Sequence, residues 1–469
     1  MFLYPQSTST IIYEDGTRLP YADLLVRAAA VSSAAGPRGL VLCLLENTPG
    51  GLLGYLAFAH GEHVPLIVNP ETAPARVDDI IARYRPEHCW VPESMASRFE
   101  GAAVRMREAG YCLLQLAARS GAPLHAELCL LASTSGSTGS PTFVRQSRAN
   151  VLANTSAIVE YLGLDASARA MTTLPIHYTF GMSIVNTQIA AGGDLVLSDK
   201  SFAQREFWSL LSEHEVSVLS GVPYTYEMLH RLRVFRKDLP HVRTMLQAGG
   251  KLGEDLQASI AAYAHQYDKR LFVMYGQTEA TTRMAYLPWS RCQEKIGSIG
   301  VPIPGGRIEL VDAQGAVITT PGEVGEMVYY GPNVCLGYAS DRAALGEGDT
   351  WGGRLVTGDL ACRDDEGFLF IKGRKKRFVK HYGMRVNLDE VEGLLKEMFP
   401  GVGLACVNVE DALFIFSDAP LELDVLTSRL TAATQIKRGG FEHVVVARIP
   451  VLANGKTDYQ GLTRAAQAR

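Results

Sequence analysis

Residues 128–141 read LCLLASTSGSTGSP, an apolar run followed directly by a loop of small polar residues. Of the nine residues from 133 to 141, four are serine, two are threonine and two are glycine. The apolar run predicts a buried strand, and the loop after it offers hydroxyl and backbone N–H groups that can hold phosphate oxygens. The loop lacks the ending of a Walker loop and the pattern of a nucleophile elbow, so a flexible surface linker is the alternative.

Strand-like and helix-like segments alternate on both sides of this stretch. Before it, the pattern predicts helices at residues 21–33 and 52–60 and strands at residues 39–45 and 63–68. After it, the pattern predicts strands at 195–197, 216–220 and 271–274, and helices at 206–214 and 226–232. This alternation is typical of parallel sheets with helices on both faces, so the predicted fold class is α/β.

The alternation of strand-like and helix-like segments ends at about residue 297. Short strands separated by Gly, Pro and Asp turns predict a small β section there. A basic run at 372–380, with six basic residues in nine, then precedes a compact C-terminal segment. We expect a large N-terminal domain of helix-flanked sheets plus this β section at 1–375, and a small mobile α+β domain at 376–469.

Composition narrows the class of protein. The 469 residues include 45 basic and 49 acidic ones, a net charge of −4, which argues against a nucleic-acid partner. The eight cysteines form no CxxC pair, so we expect buried thiols in a reducing cytoplasm rather than disulfides or a zinc site. The N-terminus has no signal-peptide pattern, and the apolar stretches are too short for a membrane span.

Four further segments carry candidate site residues. They are YGQTE at 275–279, TGD at 357–359, GRKKRFVKHYGMRVN at 373–387 and NGKT at 454–457. An aromatic ring, a hydroxyl and a carboxylate directly after a strand suit a purine and a divalent metal ion. Each segment taken alone is equally compatible with an ordinary strand exit, turn or solvated basic face.

Taken in order, these segments and TSGSTGSP at 134–141 resemble the adenylate-forming (AMP-binding) superfamily of acyl-CoA synthetases, nonribosomal-peptide adenylation domains and luciferases. The resemblance covers nearly the whole chain. It implies a reaction in two steps. A carboxylate attacks the α-phosphate of ATP to give an acyl adenylate and pyrophosphate, and a pantetheine thiol then displaces AMP. The implied cofactors are ATP and Mg²⁺, with CoA or the phosphopantetheine of a carrier protein as acceptor.

The resemblance also implies roles for individual residues. Those implied to bind ATP are Thr134, Ser135, Gly136, Ser137, Thr138, Gly139, Gly250, Lys251, Tyr275, Gly276, Gln277, Asp359 and Arg374. Lys456, Thr278 and Glu279 are implied to be catalytic, with Glu279 also holding the metal ion. Lys376 is implied to be the hinge, and Tyr382, Gly383 and Met384 to line the thiol tunnel.

Three positions depart from the family pattern: Thr142, Leu355 and Lys376. Leu355 stands two positions before the threonine of TGD, where relatives often have an aromatic residue. Thr142 stands where the phosphate loop usually has a lysine, so either Arg145 compensates or pyrophosphate is held less tightly. Lys376 stands where many relatives carry Asp, although some carry Lys.

The acid pocket is expected to be formed by His177, Tyr178, Phe180, Gly181, Val222, Tyr224 and Gly249. Amino-acid-activating relatives place an Asp where Tyr178 stands, and no carboxylate occurs between 174 and 182. A buried ammonium without a partner is costly, so we expect an acyl or aryl acid rather than an α-amino acid. Plain core packing is the alternative explanation for the aromatic residues.

The acceptor of the acyl group is left open by the sequence. The chain ends soon after Lys456, so we expect delivery to CoA or to a separate carrier protein. Two alternatives stand beside this interpretation: an adenylating amide or ester synthetase, and a nucleotide-binding relative with impaired catalysis.

Overall fold

The computed structural model describes residues 3–116, 122–133, 142–375, 377–381, 384–409, 412–434, 438–452 and 456–469. The chain divides into two compact units. The first comprises Met1–Gly297, Pro302–Arg307 and Tyr330–Leu355, and the second comprises Ser298–Val301, Ile308–Tyr329 and Val356–Arg469. The small β section thus groups with the C-terminal segment in this division. The predicted boundary at residue 376 is a hinge about which the C-terminal domain moves. A division into compact units does not test such a movement, so the hinge stays a prediction.

The strands of the described residues are, in chain order, β1 (Thr10–Ile12), β2 (Arg18–Pro20), β3 (Leu40–Leu44), β4 (Val64–Val68), β5 (His88–Pro92), β6 (Ala103–Glu108), β7 (Tyr111–Gln115), β8 (Leu128–Ser133), β9 (Phe143–Ser147), β10 (Arg169–Met171), β11 (Asp194–Val196), β12 (Val218–Gly221), β13 (Thr244–Gln247), β14 (Arg270–Tyr275), β15 (Ala285–Leu287), β16 (Val301–Pro302), β17 (Arg307–Val311), β18 (Gly325–Tyr330), β19 (Gly337–Ala339), β20 (Arg354–Arg363), β21 (Leu369–Arg374), β22 (Phe378–His381), β23 (Met384–Asn387), β24 (Leu404–Val409), β25 (Ala412–Ser417) and β26 (Phe441–Val445).

The helices are α1 (Tyr21–Ala34), α2 (Pro49–Ala59), α3 (Pro74–Tyr84), α4 (Arg148–Leu162), α5 (Thr179–Ala191), α6 (Arg205–Glu213), α7 (Pro223–Arg231), α8 (Glu254–Gln266), α9 (Leu388–Met398), α10 (Leu423–Thr434) and α11 (Tyr459–Gln467). The predicted helices and strands are therefore confirmed. Helices α2 and α7 begin three residues before their predicted starts, because each has a proline in its first turn, where the missing N–H costs nothing.

Two large sheets form the first unit. One has the order β16-β15-β14-β13-β12-β10-β11-β1-β2, and the other has the order β19-β9-β8-β4-β3-β5-β7-β6. Within them β10 to β14 pair in parallel, as do β3, β4, β5 and β8. Helices α2 and α5 are buried along nearly their whole length, and neither carries a charged side chain. The predicted α/β class with helix-flanked sheets is confirmed.

The second unit combines a β section with a small α+β segment. Its sheets have the orders β17-β18-β20-β21, β22-β23 and β24-β25-β26. Helices α9, α10 and α11 cover the last of these, and their apolar side chains form two clusters with it. The eight cysteines of the chain are free and buried. Among the described residues, no helix combines the length and apolarity needed to cross a bilayer.

Candidate active site

The carboxyl edge of the first sheet brings the predicted pocket segments together. Strands β12, β13 and β14 run in parallel, with Gly221 opposite Gln247 and Gln247 opposite Val273. The segments 221–224, 248–251 and 275–279 leave these strands at the same edge. In open α/β sheets, this edge is where ligands bind.

Tyr178, Val222 and Gly249 converge in the predicted acid pocket. A Cβ atom added to Gly249 would lie 2.8 Å from Tyr178 Oη and 3.1 Å from Val222 Cγ1. Gly249 also has a φ of +88°, which an L side chain rarely adopts. The glycine therefore lets the Tyr178 hydroxyl and Val222 pack directly against the backbone, in the place where a substrate is expected.

The other predicted pocket residues lie nearby on the same elements. His177 Nδ1 lies 3.0 Å from the carbonyl oxygen of Leu45, and burial lowers the pKa of this imidazole. Phe180 is fully buried in the core, and its ring meets that of Tyr178 edge to face. A Cβ on Gly181 would lie 2.1 Å from the carbonyl oxygen of Pro175, so packing alone requires glycine there. Tyr224 is partly exposed in the first turn of α7.

The loop after β14 folds back on its own strand. A Cβ on Gly276 would lie 1.7 Å from the Thr282 carbonyl oxygen, so no larger residue fits. Gln277 Nε2 donates to Tyr275 Oη over 3.1 Å, and both side chains are partly exposed. Thr281 has a φ of +65°, an uncommon conformation for a β-branched residue. Backbone strain of this kind concentrates at functional sites.

Glu279 stands on the short 3-10 turn Thr278–Ala280, and Tyr338 Oη donates to its Oε1 over 2.7 Å. The described residues contain no cluster of three metal-binding side chains. Mg²⁺ commonly binds through one or two carboxylates together with substrate phosphates and water. A single oriented carboxylate therefore fits the predicted metal position.

Thr278 lies beside the start of α5. Its Oγ1 is 3.5 Å from Thr179 Oγ1, and its carbonyl oxygen accepts from Gln146 Nε2 over 3.4 Å. Gly250 and Lys251 follow β13. The Gly250 carbonyl accepts from Gln247 Nε2, and Lys251 is exposed, 3.6 Å from Glu254.

Asp359 and Arg374, both predicted to contact the nucleotide, pair within the second unit. They stand opposite each other on β20 and β21, and Arg374 Nε donates to Asp359 Oδ1 over 3.1 Å. The carboxylate is buried while the guanidinium is more than half exposed. The arginine can therefore hold the carboxylate in place and still face a ligand.

Lys456 follows the chain segment that ends at Leu452. Leu452 N donates to the Lys456 carbonyl, and Val451 pairs with Thr457 in an antiparallel bridge. Met384 begins β23 opposite His381. Several predicted residues lie outside the described residues: Thr134, Ser135, Gly136, Ser137, Thr138, Gly139, Lys376, Tyr382 and Gly383.

The structure corrects the suggestion that Arg145 replaces the missing phosphate-loop lysine. Arg145 is 1% exposed, and its guanidinium donates to the carbonyl oxygens of Tyr338, Leu336 and Gly348. Its donors are used to join β9 to the segment around β19. Arg145 therefore does not reach for pyrophosphate, and Thr142 has no substitute from that residue.

One residue beside the pocket was missed by sequence reasoning. Arg283 lies in the loop between β14 and β15 and is 3% exposed. Its guanidinium carbon lies 4.0 Å from the centre of the Phe180 ring. The sequence shows only a single arginine shortly after YGQTE, and nothing in that pattern distinguishes a buried arginine from an exposed one.

The fold and these residues define an enzyme of the adenylate-forming class. The family model described as AMP-binding enzyme matches residues 4–339. The chain is 30% identical over 427 residues to a feruloyl-CoA synthase of Amycolatopsis sp, covering 86% of this chain and 83% of that protein. The chain therefore belongs to the AMP-binding enzyme family, as the motifs predicted. It is an adenylate-forming ligase.

Solved structures agree with this fold. The chain is similar to an O-succinylbenzoate coenzyme A synthetase from Bacillus subtilis in complex with AMP, with a TM-score of 0.78, 22% identity and coverage of 98% and 96% of the two chains. It is also similar to ATP-bound MatB from Rhodopseudomonas palustris, with a TM-score of 0.80, 21% identity and coverage of 100% and 99%. At this level of identity the likeness establishes the fold.

Proposed function

We propose that this enzyme activates an acyl or aryl carboxylic acid with ATP and Mg²⁺ and transfers the acyl group to the thiol of CoA or of a separate carrier protein. In the first step, a carboxylate oxygen bonds to the α-phosphorus and the bond to pyrophosphate breaks. In the second, the thiol sulfur bonds to the acyl carbon, AMP leaves, and the thiol proton is released. The observation that carries this proposal is the convergence of Tyr178, Val222 and Gly249 at the sheet edge where YGQTE begins.

The first step brings two anions together. At about 4 Å and an effective dielectric constant near 20, a pair of unit charges repels by roughly 4 kcal/mol. We assign the compensation of this charge to Lys456 and to the metal ion held by Glu279. Asp359 and Arg374 hold the ribose, Tyr275 packs against adenine, and residues 134–139 hold the β- and γ-phosphates.

A charged α-amino group on the substrate fits poorly with this pocket. The pocket segments contain no carboxylate between residues 174 and 182, and the cationic Arg283 adjoins Phe180. Both features disfavour an ammonium ion. The proposed substrates are therefore acids without an amino group next to the carboxyl.

The test is carboxylate-dependent exchange of labelled pyrophosphate into ATP across short, long, branched and aromatic acids. We expect exchange with at least one acyl or aryl acid. No exchange with any acid in the panel would contradict the proposal and favour an impaired nucleotide-binding relative.

Product analysis by mass spectrometry identifies the acceptor. Incubations contain CoA, a pantetheinylated carrier protein or an amine, and we expect a thioester with one of the first two. Amide formation alone would instead support the amide synthetase.

The proposed location is the cytoplasm, in keeping with the eight free thiols.

A further inference from the structure

Arg283 differs from the other buried cations of the described residues. Four cationic side chains there are less than a tenth exposed: Arg145, Lys269, Arg283 and Arg342. Arg145 donates to several carbonyl oxygens, and Lys269 has two carbonyls and the carboxylate of Asp238. Arg342 pairs with Glu87 at 2.7 Å. Each of these three charges is thus compensated within the fold.

The surroundings of Arg283 are neutral. Its Nη2 lies 3.4 Å from Ser183 Oγ and its Nε 3.4 Å from Met274 Sδ, both weak contacts. The Phe180 ring covers one face at 4.0 Å, and Tyr161 is a further uncharged neighbour. Among the described residues Arg283 has no carboxylate partner. Burial accordingly lowers the pKa of this guanidinium. A buried charge without a counterion is costly, so the fold keeps this cation at a price in stability.

The backbone of Arg283 is held firmly. Its carbonyl oxygen accepts from Asn154 Nδ2 and from Asn333 Nδ2, each over 2.9 Å, and both asparagines are buried. A Cβ on Gly276 would lie 2.8 Å from Arg283 Cα. The arginine is therefore fixed against the strand exit that carries YGQTE, and its position does not depend on a loose loop.

The side chain of Arg283 lies beside the first two turns of α5. Tyr178 precedes the first residue of α5, whereas Phe180 and Ser183, which contact Arg283, occupy its first two turns. One helical turn rises about 5.4 Å, close to the length of a benzene ring with its para substituents. An acid whose carboxyl lies beside Tyr178 and Gly249 and whose body extends along the start of α5 would bring its far end near the guanidinium.

We propose that Arg283 determines substrate specificity by binding an oxygen acceptor, preferably a negatively charged one, at the end of the acid remote from the reacting carboxyl. This inference rests on the proposed function and deepens it, because it names the substrate class. An anionic oxygen of the substrate would be a counterion for Arg283, which has no carboxylate partner among the described residues. Charge-assisted hydrogen bonds are also stronger than neutral ones. The preferred substrate class is therefore a dicarboxylic acid or an acid with a distal phenolic oxygen.

The experiment uses pyrophosphate exchange with matched acids. Benzoate, 4-hydroxybenzoate and terephthalate share one ring and differ only in the distal group, so they distinguish a phenolic oxygen from a carboxylate. The variants are Arg283→Met, Arg283→Lys and, as a control for removing a buried cation, Lys269→Met. Thermal unfolding of each variant is measured alongside.

We expect the wild-type enzyme to have a higher kcat/KM for 4-hydroxybenzoate or terephthalate, which carry a distal oxygen, than for benzoate. The ratio of these two kcat/KM values measures the specificity. Arg283→Met should reduce that ratio about 10- to 100-fold, mainly through KM, with partial retention in Arg283→Lys. Lys269→Met should lower stability and leave the ratio unchanged.

Three results would overturn the inference while leaving the proposed function standing. The wild-type enzyme could have the same kcat/KM for benzoate as for 4-hydroxybenzoate and terephthalate. This result does not depend on whether any variant folds. Folded Arg283→Met could keep the wild-type ratio. In Arg283→Met, kcat/KM could fall by the same factor for all three acids, which would show that Arg283 serves the reacting carboxyl or the fold. Absence of exchange with every acid of the broad panel of short, long, branched and aromatic acids would instead reject the proposed function itself.

Discussion

We expect Tyr178 and Arg283 together to determine which charge the acid pocket accepts. The two side chains interact electrostatically, and Tyr178 Oη lies close to the backbone of Gly249. A carboxylate introduced at 178 would meet this neighbouring cation before it met a substrate. The identity of one residue in the family pattern therefore does not determine amino-acid use by itself.

The substitution Tyr178→Asp tests this coupling. We expect the single variant to pair Asp with Arg283 and to gain little activity with phenylalanine relative to 3-phenylpropionate. In Tyr178→Asp with Arg283→Met, the free carboxylate should raise that ratio at least tenfold, because it can bind the α-ammonium group. Pyrophosphate exchange measures both ratios. A full gain in the single variant would show that the two side chains are not coupled in this way.

Tyr338 orients the carboxylate assigned to Mg²⁺. Burial and the charge of Glu279 raise the pKa of Tyr338, so its hydroxyl stays protonated and keeps donating at neutral pH. In Tyr338→Phe the carboxylate loses this contact, and partners of metal ligands commonly contribute about 10- to 100-fold to metal affinity. We expect the Mg²⁺ concentration for half-maximal exchange to rise at least several-fold. An unchanged Mg²⁺ profile, with Tyr267→Phe as control, would argue against Glu279 as the ligand.

At the scale of elements, the return of the loop after β14 depends on Gly276. Gly276→Ala places a methyl group 1.7 Å from the Thr282 carbonyl, so the strand exit must shift. Overpacking of this kind costs about 1–3 kcal/mol in the free energy of unfolding. We expect that loss and a higher KM for ATP. Gly253→Ala is the matched control, since it has open space around it. Equal behaviour of the two variants would contradict the close approach.

A buried polar network joins α1, α2 and α5. His60, directly after α2, lies 3.2 Å from Tyr21 Oη and 3.1 Å from Asn186 Oδ1, and Tyr55 donates to the same amide oxygen. Burial lowers the pKa of His60 to about 4. As the pH falls, His60 therefore becomes protonated near pH 6.5 in the unfolded chain but only near pH 4 in the folded protein. The stabilisation is complete above pH 6.5 and is lost as the pH falls toward 4.

This linkage predicts a loss of about 3 kcal/mol in the free energy of unfolding between pH 7 and pH 4 from His60 alone. Urea unfolding at several pH values measures it. In His60→Gln the dependence over this interval should flatten, whereas His241→Gln, a partly exposed histidine, should follow wild type. Parallel curves for all three proteins would locate the acid sensitivity elsewhere.

At the scale of the whole molecule, we expect the two chemical steps to depend on different residues. Lys456 lies in the second unit, next to Thr457, which pairs with Val451, and we assign it to the adenylation step alone. In Lys456→Ala we expect adenylation to fall by about 10²–10³, the usual effect of losing a donor to developing negative charge. Thiolysis of a preformed acyl adenylate should stay near the wild-type rate. Equal losses in both half-reactions would reject a lysine that serves only the first step.

The sequence by itself determined the class of fold and the class of chemistry. Apolar runs such as 128–132 and helical patterns such as 21–33 depend on local periodicity, and motif residues such as Asp359 and Glu279 stand in recognisable order. Only the tertiary structure showed that the guanidinium of Arg145 donates to carbonyl oxygens, while Arg283 has no counterion in the part of the chain that the structure describes. The two arginines are alike in the sequence. Their roles differ because burial and partners come from segments distant along the chain, and no local pattern records which donors the fold has already used.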